Sequence, residues 1–133
     1  MTNRKFGAEH REIRALFDKL MRAPCHQFPL SYGRLEAPTE KGIYVIYSPR
    51  GKIMHVGATP RAKRGIRQRL FDHLQGRSAF TKRAFKQRGY KLRNGYKFRY
   101  LVVKNARNRA LLEPYAIGCL CPSFIGYGDA ELT

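Results

Sequence analysis

Apolar positions change period several times along this chain, and each change marks an element. Ile13, Leu16, Phe17 and Leu20 recur at helical spacing and predict an amphipathic helix over about residues 9–21. The stretch 23–41 holds Pro24, Pro29, Gly33 and Pro38 and reads as an irregular connection. Gly42-Ile43-Tyr44-Val45-Ile46-Tyr47 is rich in β-branched and aromatic residues, as strands are. Ser48-Pro49-Arg50-Gly51 has turn chemistry, and the strand pattern resumes over 52–57, so 42–57 forms a hairpin. Thr59-Pro60 reads as an N-cap with proline at the first helical position, Gly65 offers a later start, and Gly76 a stop. Between them Ile66, Leu70 and Leu74 recur every fourth residue. A short helix around 80–87, a turn at Arg93-Asn94-Gly95, a strand over 96–103 and a helix over 105–119 complete the order. Pro114 should disturb the last helix by removing a donor and crowding the Ala110 carbonyl. This order predicts an α+β fold, a small three-stranded antiparallel sheet flanked by helices. An arm over 1–40 would pack on a core over 41–126, followed by a tail over 127–133.

The hairpin loop decides what shares a face. An even loop pairs Tyr44 directly with His55. A three-residue loop with a Gly51 bulge shifts the register by one and sends the two to opposite faces. Chemistry shared by Tyr44 and His55 requires the even loop.

Charge adds a partner. The 133 residues carry a formal net charge of +18, and between Lys41 and Leu112 there are 20 Lys and Arg but one acid, Asp72. A one-sign block repels itself, and contact with phosphates relieves it, so a polyanion is expected. Arg61, Lys63, Arg64, Arg67, Arg77, Lys82, Arg83 and Lys86 are the candidate nucleic-acid contacts. From Arg77 to Tyr100 cations interleave with Phe80, Phe85, Tyr90, Tyr96 and Tyr100, an arrangement that favours single-stranded or distorted DNA, with Phe80 and Phe85 assigned to the core. No apolar run is long enough to cross a bilayer and no signal core follows the N-terminus, so a cytoplasmic protein with no membrane partner is expected. Cys25, Cys119 and Cys121 suit no disulfide framework and, with His26, lack zinc-finger spacing; they read as buried small side chains.

Gly42-Ile43-Tyr44, ten residues, then His55-Val56-Gly57 resembles the paired-triplet signature of the GIY-YIG nuclease superfamily, with histidine where the second tyrosine stands. Arg69-Leu70-x-x-His73 is similar to the family's arginine helix, Leu111-Leu112-Glu113 to its metal-ligand helix, and Pro122-Ser123-Phe124 to its closing segment. The resemblance implies a metal-dependent DNA endonuclease. Tyr44 would be the general base or position the attacking water, Arg69 would neutralise the scissile phosphate, and Glu113 would hold one Mg²⁺ or Mn²⁺. A free tyrosine ionises near pH ~10, so cations are needed beside it; His55, Lys52, Arg69 and the metal are candidates. His55 could share the base role, Lys52 and His73 would support the site, and Gly42 and Gly57 would permit close backbone approach. Arg69 lies twelve residues after Gly57, a long gap, which makes Arg67 a second candidate. Ile125 stands where many members have asparagine. The competing expectation is an inactive scaffold that binds DNA or RNA by charge. Single-stranded and duplex DNA, and monomer and homodimer, all stay open.

Overall fold

The computed structural model describes residues 7–30, 33–59 and 64–125. Helix α1 (Ala8–Arg22) leads through strand β1 (His26–Gln27) to the hairpin of β2 (Gly42–Tyr47) and β3 (Ile53–Ala58). Helices α2 (Gly65–Leu74) and α3 (Ala79–Phe85), a 3-10 turn at Gly89–Arg93, strand β4 (Lys97–Val102) and helix α4 (Ala106–Leu120) follow. The antiparallel sheet has four strands in the order β1-β4-β2-β3, one more than the pattern predicts. The extra strand lies in the stretch read as irregular: His26 and Gln27 pair with Phe98 and Lys97. Two residues are too few to carry a period, and their pairing comes from the partner strand.

Every residue of β2 is buried because helices cover both sheet faces. Tyr44 and Ile46 face Ile66, Leu70 and Leu74 of α2 and Phe80 and Phe85 of α3. Ile43, Val45 and Tyr47 face Ile13 and Leu20 of α1 and Leu112 and Ala116 of α4. A strand enclosed on both sides reads as a continuous apolar run, as Gly42–Tyr47 does. At Gly42 the backbone approach is real: a Cβ would stand 2.1 Å from the Leu101 carbonyl oxygen.

Of the two loops the hairpin takes the odd one with Gly51, yet Tyr44 and His55 still share a face. Gly51 sits at φ 88°, its amide donates to the Ser48 carbonyl (2.9 Å), and the Ser48 amide donates to the Lys52 carbonyl (2.8 Å). This odd loop alone would separate Tyr44 from His55. A second shift follows, because Tyr47 pairs with Ile53 but Ile46 with His55, leaving Met54 as the extra residue of a bulge. Two shifts of one residue restore the face. Tyr44 pairs with Gly57, and His55 is its diagonal neighbour, ring centroids 5.9 Å apart. The Ile53 and Met54 carbonyls at the bulge accept the amides of Ser123 and Phe124 (3.1 and 3.0 Å), so the closing segment covers the outer edge of β3.

Gly57 is needed for a side chain rather than a backbone. A Cβ there would stand 2.3 Å from the Tyr44 hydroxyl and 2.4 Å from Cζ, and Tyr44 is fully buried, so the ring cannot swing away. Gly57→Ala should cost about 1–3 kcal/mol in chemical denaturation, the usual penalty of overpacking. It should also displace the phenol from its partners. An unchanged midpoint would show that the ring has another place to go.

Thr59 does not cap α2. Its hydroxyl accepts from the Gly42 amide (2.9 Å) and its amide donates to the Gly42 carbonyl (3.2 Å), extending the β2–β3 ladder. Pro60 lies outside the described residues. The helix starts at Gly65 (φ 55°), where the amides of Ile66 and Arg67 donate to the carbonyls of Glu40 and Pro38 (3.0 and 2.9 Å). Gly76 (φ 73°) closes it, as expected. Pro114 leaves α4 unbroken; it and Ala110 are exposed, so solvent can reach the carbonyl that loses its donor.

Candidate active site

A cleft of about 240 Å³ opens on the face of the sheet that carries Tyr44, lined by Tyr44, His55, Gly57, Arg69, His73, Ser78, Phe80, Arg83 and Glu113 among others. Tyr44 enters from β2, His55 and Gly57 from β3, Arg69 and His73 from one side of α2, and Phe80 and Arg83 from α3. Glu113 belongs to α4, whose Leu112 packs on the other face of the sheet; it joins the cleft beside Gly57 and Ala58 of the edge strand. Five elements thus bring a phenol, two imidazoles, two guanidiniums and a carboxylate to one concavity.

His73 links the phenol to α3. The tyrosine hydroxyl lies 2.7 Å from His73 Nε2, and His73 Nδ1 lies 2.6 Å from Ser78 Oγ. Ser78 caps α3 by accepting from the Thr81 amide (3.2 Å), its Oγ is 2.9 Å from Thr81 Oγ1, and that hydroxyl donates back to the Ser78 carbonyl (3.1 Å). One polarity gives every donor in this chain a protein acceptor: Tyr44 to His73, His73 to Ser78, Ser78 to Thr81. In the reverse polarity the tyrosine hydrogen points to no protein acceptor. His73, expected only to support the site, is therefore the direct partner of the phenol. Ser78 carries no signal in the sequence, because it acts through a contact between two helices.

Burial sets the protonation states. It raises the Tyr44 hydroxyl above its ordinary value, with the Arg69 charge pulling the other way. It pushes His55 down to about 4, the Phe124 backbone opposing and Arg69 and Arg83 adding to the depression. His73 is held well below the usual imidazole range by burial, then by His55 and Arg69. His55 lies flat against Phe80, ring centroids 4.7 Å apart, and its buried Nδ1 has no hydrogen-bond partner among the described residues. So stacked in the empty cleft, His55 is held neutral, as His73 is, and neither imidazole supplies a standing cation beside the phenol. The other expected cation, Lys52, is exposed in the hairpin turn and does not line the cleft. Arg69 remains: its charge acts on Tyr44, His55, His73 and Glu113 alike. Its Nη1 is held 3.3 Å from Asp72 Oδ2.

The two histidines make the fold acid-sensitive. Unfolded, each protonates near its ordinary 6.5; folded, His55 resists to about 4 and His73 also stays neutral. Between these values the unfolded chain binds more protons, so their contribution is complete above 6.5 and is lost as pH falls towards 4. Each adds a slope of about 1.4 kcal/mol per pH unit, and His55 alone totals about 3 kcal/mol. Burial raises the Glu113 carboxyl above 4.5, so near that pH it offsets part of the loss. Urea midpoints measured from pH 7.5 to 5.0 should fall steeply; a flat profile would mean the imidazoles titrate as in water.

Glu113 is half-buried and is the one acid lining the cleft among the described residues. It makes no hydrogen bond or ion pair with any of them. Among the described residues no group of three His, Cys, Asp or Glu could enclose a metal. This donor set fits a hard divalent ion held by a single carboxylate, with water and substrate oxygens filling its shell, and does not fit an all-protein cage. The three cysteines, expected buried, are exposed and free.

The chain matches the family model of the GIY-YIG catalytic domain over residues 40–118, more than half its length. It belongs to the GIY-YIG nuclease superfamily. No curated protein and no solved structure matches it. Membership implies nuclease-type activity and, in this superfamily, action on DNA. Among the described residues no helix is long and apolar enough to cross a membrane.

The remaining predicted residues separate. Arg67 lies on a different side of α2 from Arg69 and lines another cleft with Arg64 and Arg77, so of the two arginine candidates only Arg69 reaches Tyr44 and Glu113. Lys82 and Lys86 are exposed on and after α3, away from the cleft lining. Arg61 and Lys63 lie outside the described residues. Phe80 and Phe85 are core, as expected, and Tyr96 and Tyr100 are half-buried against it. The exposed large aromatics among the described residues are Tyr90 and Phe71, and Phe71 carries no signal in the interleaved stretch.

Proposed function

We propose that this GIY-YIG protein is a metal-dependent endonuclease that hydrolyses DNA phosphodiesters in the cleft of Tyr44, Arg69, His73 and Glu113. The observation that carries this reading is the Tyr44 hydroxyl, 2.7 Å from His73 Nε2 and sharing a cleft with an arginine and the lone carboxylate.

Burial keeps the phenol protonated, so Tyr44 acts as a relay rather than a standing phenolate. A water attacks phosphorus and gives its proton to the Tyr44 oxygen as the hydroxyl proton passes to His73 Nε2. One P–O bond forms, the other breaks, and the leaving oxygen takes a proton from solvent. The resulting imidazolium keeps its Nδ1 hydrogen on Ser78. Its cost in an empty cleft falls when the phosphate, gaining negative charge in the transition state, lies beside it. Arg69 neutralises that same charge, and Arg83 lines the cleft near it. Glu113 would hold Mg²⁺ or Mn²⁺, which supplies Lewis-acid stabilisation of the developing oxyanions. Asp72, by holding Arg69, sets where its guanidinium points.

The test is cleavage of single-stranded, duplex and flapped DNA and of RNA, with and without Mg²⁺ or Mn²⁺. Cleavage should require the metal and disappear in Tyr44→Phe and Glu113→Ala with binding retained. If both variants match wild type in every assay, the chain is a binding scaffold.

A further inference from the structure

A second cleft, about 700 Å³, lies on the outward side of α2, and four guanidiniums, Arg34, Arg64, Arg67 and Arg77, stand round it. None of the four makes an ion pair with a described residue. The one acid lining it, Asp72, is already held by Arg69 at 3.3 Å. Cations gathered with no free counter-charge among the described residues cost self-repulsion, which an anion relieves. That anion is not bound at the helix start, since the first amides of α2 are spent on the Pro38 and Glu40 carbonyls. Phe71 shares that lining, 44% exposed on a helix whose other apolar residues are buried. A large apolar ring left in water amid cations fits a flat ligand that carries its own negative charge.

We propose that this groove takes an unpaired nucleotide segment, one base stacked on Phe71 and the flanking phosphates on the arginines. A paired base has its faces covered by its neighbours in the duplex, and only an unpaired one can lie on an aromatic face within a concavity of this size. Helix α2, with a diameter of ~10 Å, lines both the groove and the cleft of Tyr44, and the Arg69–Asp72 pair has one member in each lining. A strand entering one can continue into the other. The proposal rests on the nuclease reading for its orientation but is tested without cleavage.

Binding is measured by fluorescence anisotropy on the full chain in EDTA, with labelled single-stranded DNA, single-stranded RNA of the same sequence, and blunt duplex. Phe71→Ala, an exposed change to a strong helix former, should weaken single-strand binding about tenfold and leave duplex binding within twofold. Arg67→Ala should weaken single-strand binding and lower its log–log salt slope by about 0.7. A 2-aminopurine placed along the strand should be quenched by wild type and not by Phe71→Ala. Equal losses on RNA and DNA assign the groove to unpaired strands in general, and a loss confined to DNA assigns it to DNA. No loss with Phe71→Ala, or an equal loss on duplex, overturns the proposal. If Phe71-dependent binding persists in a chain that cleaves nothing, the groove stands and the nuclease reading fails.

Discussion

Replacing Tyr44 with phenylalanine should slow DNA cleavage roughly 10³-fold, within the range expected for loss of a proton-transfer group, while leaving affinity for DNA within about twofold. The change is clean because the ring itself is structural. Tyr44 is fully buried and packs against His55 and His73, and phenylalanine keeps those contacts. What leaves is the oxygen that links attacking water to His73. The imidazole Nε2 then faces the vacated position without a partner, which should cost about 1–3 kcal/mol of stability. Denaturation of the variant separates that cost from the rate effect. His73→Gln should slow cleavage by a similar factor, and the double variant should be little slower than either single one, because two groups on one proton path act as a unit. Multiplicative losses would show that the phenol and the imidazole act separately.

Glu113→Gln should remove metal-dependent cleavage, a loss of roughly 10³-fold or more, and should also remove metal-dependent stabilisation. The second effect is independent of turnover. An ion that binds the folded chain at a hundred times its Kd adds about 2.7 kcal/mol, so wild type should melt higher in Mn²⁺ and the variant should not. Without metal the order reverses. Burial disfavours the ionised Glu113 carboxyl, so at neutral pH the isosteric amide should leave the fold as stable as wild type or more so. Thermal melts at pH 7 with EDTA and with Mn²⁺ check both signs. A variant that still gains stability from Mn²⁺ would place the ion elsewhere.

Elements with a long period or a dense β-branched run were legible in the chain. Those around Ile13 to Leu20, Gly42 to Tyr47 and Leu111 to Ala116 stand where the pattern puts them. What was not legible depends on contact between segments. His26 and Gln27 are a strand because β4 lies beside them. Thr59 has the residue type of a helix cap, yet Gly42 is a nearer partner for its hydroxyl. The candidate site was legible as residue identities through the resemblance, while its electrostatics were not. A histidine in isolation titrates near neutrality, and the Phe80 ring against His55 and the burial of both hold this one neutral to about 4. Partnership between His73 and Ser78 depends on how the short segment between α2 and α3 turns the chain, which the helical period does not encode.

The hairpin's two compensating offsets bear on how this hairpin would tolerate a change of length. Adding or deleting one residue between the triplets would by itself turn the second triplet over, taking Gly57 off the Tyr44 ring. A bulge such as the one at Met54 converts that odd change into an even one. One residue more or less between the triplets, met by one such bulge, would leave the same side chains on the same face, so the strand edge works as an adjuster of register.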